Sequence, residues 1–127
     1  MPVEPPCLFV YGTLQPGRLR WPFLEPFTTG HRPAEVAGEL FDSNYGWPVA
    51  RFTDVAGDVV PGTLVELDPE RADEALDVMD DVEATATDLL VRVAVTTVDG
   101  RAAWAYHCAA PEPDMVRIPR WTSTDER

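Results

Sequence analysis

Thirteen prolines are scattered through this 127-residue chain. Proline has no backbone N–H to donate, and its ring clashes with the preceding helical turn. Long helices are therefore excluded over most of the sequence, and short strands joined by turns are favoured. Leu8 to Tyr11 reads as a strand. Glu35 to Asp42 alternates, with Val36, Gly38 and Leu40 on one face and Ala37, Glu39 and Phe41 on the other, which predicts a second. Ser43 to Pro48 reads as a turn and Val49 to Phe52 as a short strand. Val59 to Leu67 follows, with Pro61-Gly62 marking a bulge or an edge near its start. In Asp88 to Val98, Val91, Val93 and Val95 share one face. Asp99-Gly100 then offers the turn pair that two-residue hairpins prefer, and Arg101 to Cys108 returns as the partner strand.

One helix stands out. Asp68 can cap it, Pro69 suits its first position, and Glu70 complements the positive end of its dipole. Ala72, Ala75, Leu76 and Met79 follow at helical spacing. Gln15 to Gly30 is predicted as loop, with one helical turn near Trp21 to Leu24. The charged, proline-rich stretch after Ala110 is predicted as loop, frayed at its end. The expectation is an α+β fold: a small, mostly antiparallel or mixed β-barrel of about six strands with one main flanking helix. The length suits a single domain over residues 1–127, with a core at about 7–110 and a tail at 111–127.

Charge narrows the function. The formal net charge is −12, and all ten basic residues are arginine. Such a chain repels phosphate backbones and anionic membrane surfaces, so no nucleic-acid or membrane partner is expected. The N-terminal Met1-Pro2-Val3-Glu4-Pro5-Pro6 has neither a basic start nor a long apolar run, and a cytoplasmic location is expected. Cys7 and Cys108 both fall in predicted strands and read as small buried residues rather than a disulfide. No Cys/His spacing suits a metal, and no cofactor motif is present, so neither a metal nor a cofactor is expected.

Two places carry possible chemistry. Leu8 to Tyr11 runs into Gly12-Thr13-Leu14, where a strand end can present backbone N–H groups, and Gly12 lets a ligand or another backbone approach closely. Far along the chain, Asp77, Asp80, Asp81 and Glu83 crowd the C-terminal end of the helix, where the dipole favours cations. A solvated acidic patch is the plainer reading. Crowding by like charge, or burial, would instead raise one carboxyl toward the range of a general base. Glu83 is predicted in the loop that leads to the next strand.

In combination these segments resemble the gamma-glutamylcyclotransferase-like family. Tyr11-Gly12-Thr13-Leu14 resembles its substrate loop. Leu76-Asp77 and Asp80-Asp81-Val82-Glu83, followed by a strand bearing Arg92, resemble its acidic segment. Gly38 to Asp42, Gly62 to Leu67 and Ala103 to Tyr106 resemble its strand texts, so the likeness covers roughly Leu8 to Tyr106. The resemblance implies a closed or nearly closed barrel with flanking helices. It also implies cyclisation of a gamma-glutamyl amide to 5-oxoproline with release of an amine, by an enzyme of transferase or lyase type. Tyr11, Gly12, Thr13 and Leu14 would then bind the glutamyl group and Glu83 would be the catalytic carboxylate. Tyr106 could line the pocket and bond the substrate; an ordinary core aromatic fits it equally. The chain departs from the family pattern at Leu90, where an aromatic is usual, at Gln15-Pro16-Gly17, which lacks a basic residue, and at the small, polar Ala84 to Thr87.

The chemistry is physically sound. The substrate's own α-amine attacks its γ-carbonyl, and well-oriented intramolecular reactions gain effective molarities of about 10⁵ M or more. Proton transfer from an α-amine to an ordinary Glu is uphill by about 5 kcal/mol. Raising the carboxyl removes about half of that deficit. A binding module for a small carboxylate, on the same fold but without turnover, is the alternative, and Leu90 is the feature that favours it. A third reading is a lyase or transferase acting on another acylated amine. Arg92 is expected to pair with one of the many acids, Trp21, Trp47 and Trp121 to roof a pocket, anchor the tail or simply pack, and His31 and His107 are assigned no role.

Overall fold

A computed structural model describes residues 7–43, 47–53, 57–86, 90–108 and 111–120, and of 83–86 the backbone alone. The elements in chain order are β1 (Cys7–Val10), α1 (Trp21–Leu24), a 3-10 turn (Glu25–Phe27), β2 (Thr28–Asp42), β3 (Pro48–Phe52), β4 (Val59–Leu67), α2 (Ala72–Ala86), β5 (Val91–Thr96), β6 (Ala102–His107) and β7 (Val116–Arg117). The sheet runs β3-β2-β4-β1-β6-β5, and β7 pairs with β2. All pairings are antiparallel except β1 with β6. This is the expected mixed barrel, nearly closed, on an α+β plan.

The fifteen-residue β2 shapes it. Its first part pairs with β4, from Thr28↔Leu67 to Ala37↔Val59, and its last part pairs with β3, from Gly38↔Phe52 to Asp42↔Pro48. The change of partner falls at Gly38, where a Cβ would lie 2.7 Å from the Arg51 carbonyl oxygen. Only glycine allows so close a crossing. The barrel closes where β3 meets the end of β6. The Cys108 N–H donates to the Ala50 carbonyl at 2.7 Å, and the Phe52 N–H donates to His107 Nδ1 at 3.1 Å.

Alternation along each strand makes two cores. On one face Leu8, Val10, Val65 and Leu67 pack against Ala72, Ala75, Leu76 and Met79 of α2. On the inner face Phe9, Tyr11, Val36, Leu40, Leu64, Ala103 and Ala105 fill the barrel. Phe52 lies edge-on to Phe9 and to Tyr11 and stacks on His107. Cys7 and Cys108 are buried thiols not joined in a disulfide, and burial pushes the Cys7 thiol above its ordinary value, with help from the Glu66 charge.

Several boundaries differ from the sequence expectation. β2 begins at Thr28, not Glu35. Its early residues are exposed or half-buried, so backbone pairing with β4 rather than a buried apolar face holds them in the sheet. Pro61 does sit near a local edge, because β1 pairs with β4 only from Thr63 to Glu66. Asp68 caps a turn, accepting the Glu70 N–H at 3.0 Å, and the α-helix proper starts at Ala72. β5 starts at Val91; Thr87 to Leu89, which precede it, lie outside the described residues. The stretch after Ala110 is not all loose. β7 adds to β2, and Met115 is buried with Val49 and Cys108.

Candidate active site

The strand end foreseen in the sequence is a fixed corner. Tyr11, Thr13 and Leu14 are each less than a tenth exposed. The Gln15 N–H donates to the Gly12 carbonyl at 3.1 Å and the Arg20 N–H to the Thr13 carbonyl at 2.7 Å. Thr63 Oγ1 donates to Gln15 Oε1 at 3.1 Å, tying the corner to β4. The Tyr11 hydroxyl donates to the Tyr106 carbonyl at 2.7 Å, so β6 is locked beside it.

Tyr11, Gly12, Thr13, Leu14 and Tyr106 line one hollow, together with Trp47 and Pro48. Its volume is ≈ 20 Å³, room for about one water. A Cβ on Gly12 would lie 2.5 Å from Pro48 Cγ. The neighbour that needs the bare backbone at Gly12 is therefore the Pro48 ring. Pro48, like Phe9 and Val10, is a lining residue that sequence reasoning did not assign to the site. Its one signal was its place beside Trp47 at the start of a strand.

Glu83 belongs to α2, not to a loop: the helix runs to Ala86. One member of the acidic run, Asp80, is paired. Asp80 Oδ1 accepts Arg92 Nε at 2.9 Å, Asp80 Oδ2 accepts Arg92 Nη2 at 3.2 Å, and Arg92 lies 4.7 Å from the Trp104 ring centre. The Tyr106 hydroxyl donates to Asp80 Oδ1 at 2.8 Å. Asp80 is thus no surface ornament, whereas Asp77 and Asp81 are exposed. Glu83 stands three residues further along, in the next turn, and its side chain lies outside the described residues.

The five predicted substrate-binding residues thus meet at one place, and the helix that carries Glu83 is bonded to one of them. Arg92 pairs with an acid, as expected. The partner of His107 was not foreseen: its Nδ1 accepts the Phe52 N–H, and burial, then the Arg51 charge, holds it below the ordinary histidine value. Among the described residues no group of three His, Cys, Asp or Glu is arranged to hold a metal, and no helix is long and apolar enough to cross a membrane.

A family model, "Gamma-glutamyl cyclotransferase, AIG2-like", matches residues 8–123. The chain belongs to that family. No curated protein matches the sequence. Solved structures show the same fold at low identity. Bacillus subtilis YkqA aligns at 21% identity with a TM-score of 0.68, over 91% of this chain and 39% of its own. A mouse AIG2-like protein aligns at 19% identity and TM-score 0.68, over 91% of this chain and 87% of its own. An uncharacterised Pyrococcus horikoshii protein aligns at 19% identity and TM-score 0.63, over 94% of this chain and 87% of its own. This chain therefore spans well under half the length of YkqA and most of the length of the other two.

Proposed function

We propose that the protein cyclises a gamma-glutamyl amide to 5-oxoproline and releases the amine, with Glu83 as general base. The observation that carries this reading is the hydrogen bond from the Tyr106 hydroxyl to Asp80. It ties the wall of the Tyr11–Leu14 hollow to the helical turn just before Glu83.

The glutamyl group lies on the Gly12–Leu14 corner, whose backbone N–H groups take its α-carboxylate or the oxyanion that forms at the γ-carbon. The α-amine attacks the γ-carbonyl, and a new C–N bond closes the five-membered ring. Glu83 takes the proton that the attacking amine loses and returns it to the departing amine as the old C–N bond breaks. The corner is preorganised by its own turn bonds, so little ordering is left for the moment of reaction. The hollow as it stands is about one water in size, so Trp47 and Pro48 draw back to admit a substrate. The proposed chemistry requires no metal or cofactor. The substrate is a small molecule, and the chemistry suits a cytoplasmic setting.

Incubation of the protein with gamma-glutamyl amino acids and gamma-glutamyl amines, with product analysis by mass, tests the reading. The expected products are 5-oxoproline and the free amine in equal amounts. A substrate-induced rise in melting temperature with no product would instead identify a carboxylate-binding module. The packing of Leu90 against the apolar cores, where the family usually carries an aromatic, is the observation that favours that second reading.

A further inference from the structure

The carboxylate of Asp80 collects donors from two strands at once. Arg92 of β5 grips it with two nitrogens, at 2.9 and 3.2 Å, and the Tyr106 hydroxyl of β6 reaches the same carboxylate at 2.8 Å. The Arg92 guanidinium lies against the Trp104 ring, which limits its freedom to swing away. Tyr106 continues the chain of bonds, because its carbonyl accepts the Tyr11 hydroxyl at 2.7 Å. One continuous path therefore runs from α2, through β6, to the corner that opens the hollow.

This path lies partly in solvent, which limits its contribution to stability. The Arg92 and Asp80 side chains are 25% and 40% exposed, and ion pairs that reach solvent are weak. What a two-pronged guanidinium–carboxylate pair supplies is fixed geometry. Residues three apart on a helix are neighbours, about 5–6 Å between Cβ atoms, so holding Asp80 sets the rotation and depth of the turn that carries Glu83. A displacement of about 1 Å at a reacting group can cost about a hundredfold in rate.

We infer that Asp80 is a positioning residue, which through Arg92 and Tyr106 registers the Glu83 turn of α2 against the Tyr11–Leu14 corner. The inference rests on the reading of Glu83 as the base. Asp77 and Asp81, in the same acidic run, are exposed.

The test compares steady-state turnover of a gamma-glutamyl amide by the full chain and by Asp80→Ala, Asp80→Asn, Tyr106→Phe and the Asp80→Ala/Tyr106→Phe double variant, with Glu83→Gln as reference. Asp80→Ala is expected to lower kcat by about tenfold or more while KM changes by less than about twofold. Its circular dichroism and melting temperature should stay close to the parent's. Asp80→Asn keeps an oxygen that accepts from both partners and should recover part of the lost kcat. The double variant should be no slower than Asp80→Ala, since both changes cut one path. An unchanged kcat in Asp80→Ala beside an inactive Glu83→Gln would overturn the positioning role and leave the base in place. A rise in KM at constant kcat would overturn it too, by making Asp80 a binding group. Full activity in Glu83→Gln would remove the base reading and this inference with it.

Discussion

Gly12 shows how much one missing side chain can decide. A methyl there would sit 2.5 Å from Pro48 Cγ, so the ring or the corner must shift. Gly12→Ala should destabilise the fold by about 1–3 kcal/mol, the usual range for overpacking. It should also abolish the binding of a gamma-glutamyl ligand that a thermal-shift titration detects in the parent. A substitution with neither effect would mean that the corner tolerates movement and is not the preorganised cradle described above. The corner at Gly12 was legible in the sequence because a strand that runs into glycine can turn and let another group approach closely. Pro48 was not, since no local pattern says which distant residue will fill the space above a glycine. Asp80 was read as one of several like charges, because its partners, Arg92 and Tyr106, come from strands that only the fold brings to it.

The strands and the helix differ in how far local signals reach. α2 was expected from its cap and apolar spacing, and its core-facing residues Ala72, Ala75, Leu76 and Met79 are those the spacing marks. Its continuation from Glu83 to Ala86 was not expected, since Glu83 was read as loop. The early part of β2 was hidden: it is held by main-chain pairing to β4, and its side chains carry no apolar alternation. The closure between β3 and β6 depends on a neutral His107, whose Nδ1 must accept the Phe52 N–H. Burial, then Arg51, lowers its affinity for a proton in the folded state. The unfolded chain therefore binds that proton first as the pH falls through about 6.5. The associated stability is complete above that value and declines below it, toward the folded-state value. The melting temperature should accordingly drop between about pH 7.5 and about pH 5.5. The drop should be smaller in His107→Asn, which keeps an acceptor near the Nδ1 position but does not titrate. Equal drops in the two proteins would show that the closure does not depend on this histidine.

At the scale of the whole molecule, charge and packing oppose each other. Twenty-two acidic residues against ten basic ones leave a net −12, and self-repulsion of that size weakens a compact state. Salt shortens the reach of charge from about 10 Å at 0.1 M to about 3 Å at 1 M. Calorimetry should thus show the melting temperature rising with added sodium chloride; a fall would mean that the surface ion pairs outweigh the net repulsion. The proline-rich end is part of this packing, since Met115 is buried beside Val49 and Cys108. Met115→Ala should cost about 2–5 kcal/mol in denaturant unfolding, whereas an end that merely trailed from the barrel would make the change silent. The α+β barrel class and the succession of strands along the chain followed from proline spacing, alternation and one hairpin turn; the order of the strands in the sheet did not. Neither did the particular β3–β6 hydrogen bonds that close it or the docking of residues 111–120, because contacts between distant segments decide them. The strand end, Tyr106 and the acidic helix come together only in the closed barrel, and their chemistry turns on position 83. Turnover of a gamma-glutamyl amide to 5-oxoproline by Glu83→Gln, which keeps the shape of the side chain but cannot take a proton, should fall by about a hundredfold or more with an unchanged melting curve. Turnover equal to that of the parent protein would contradict the role of Glu83 as the base.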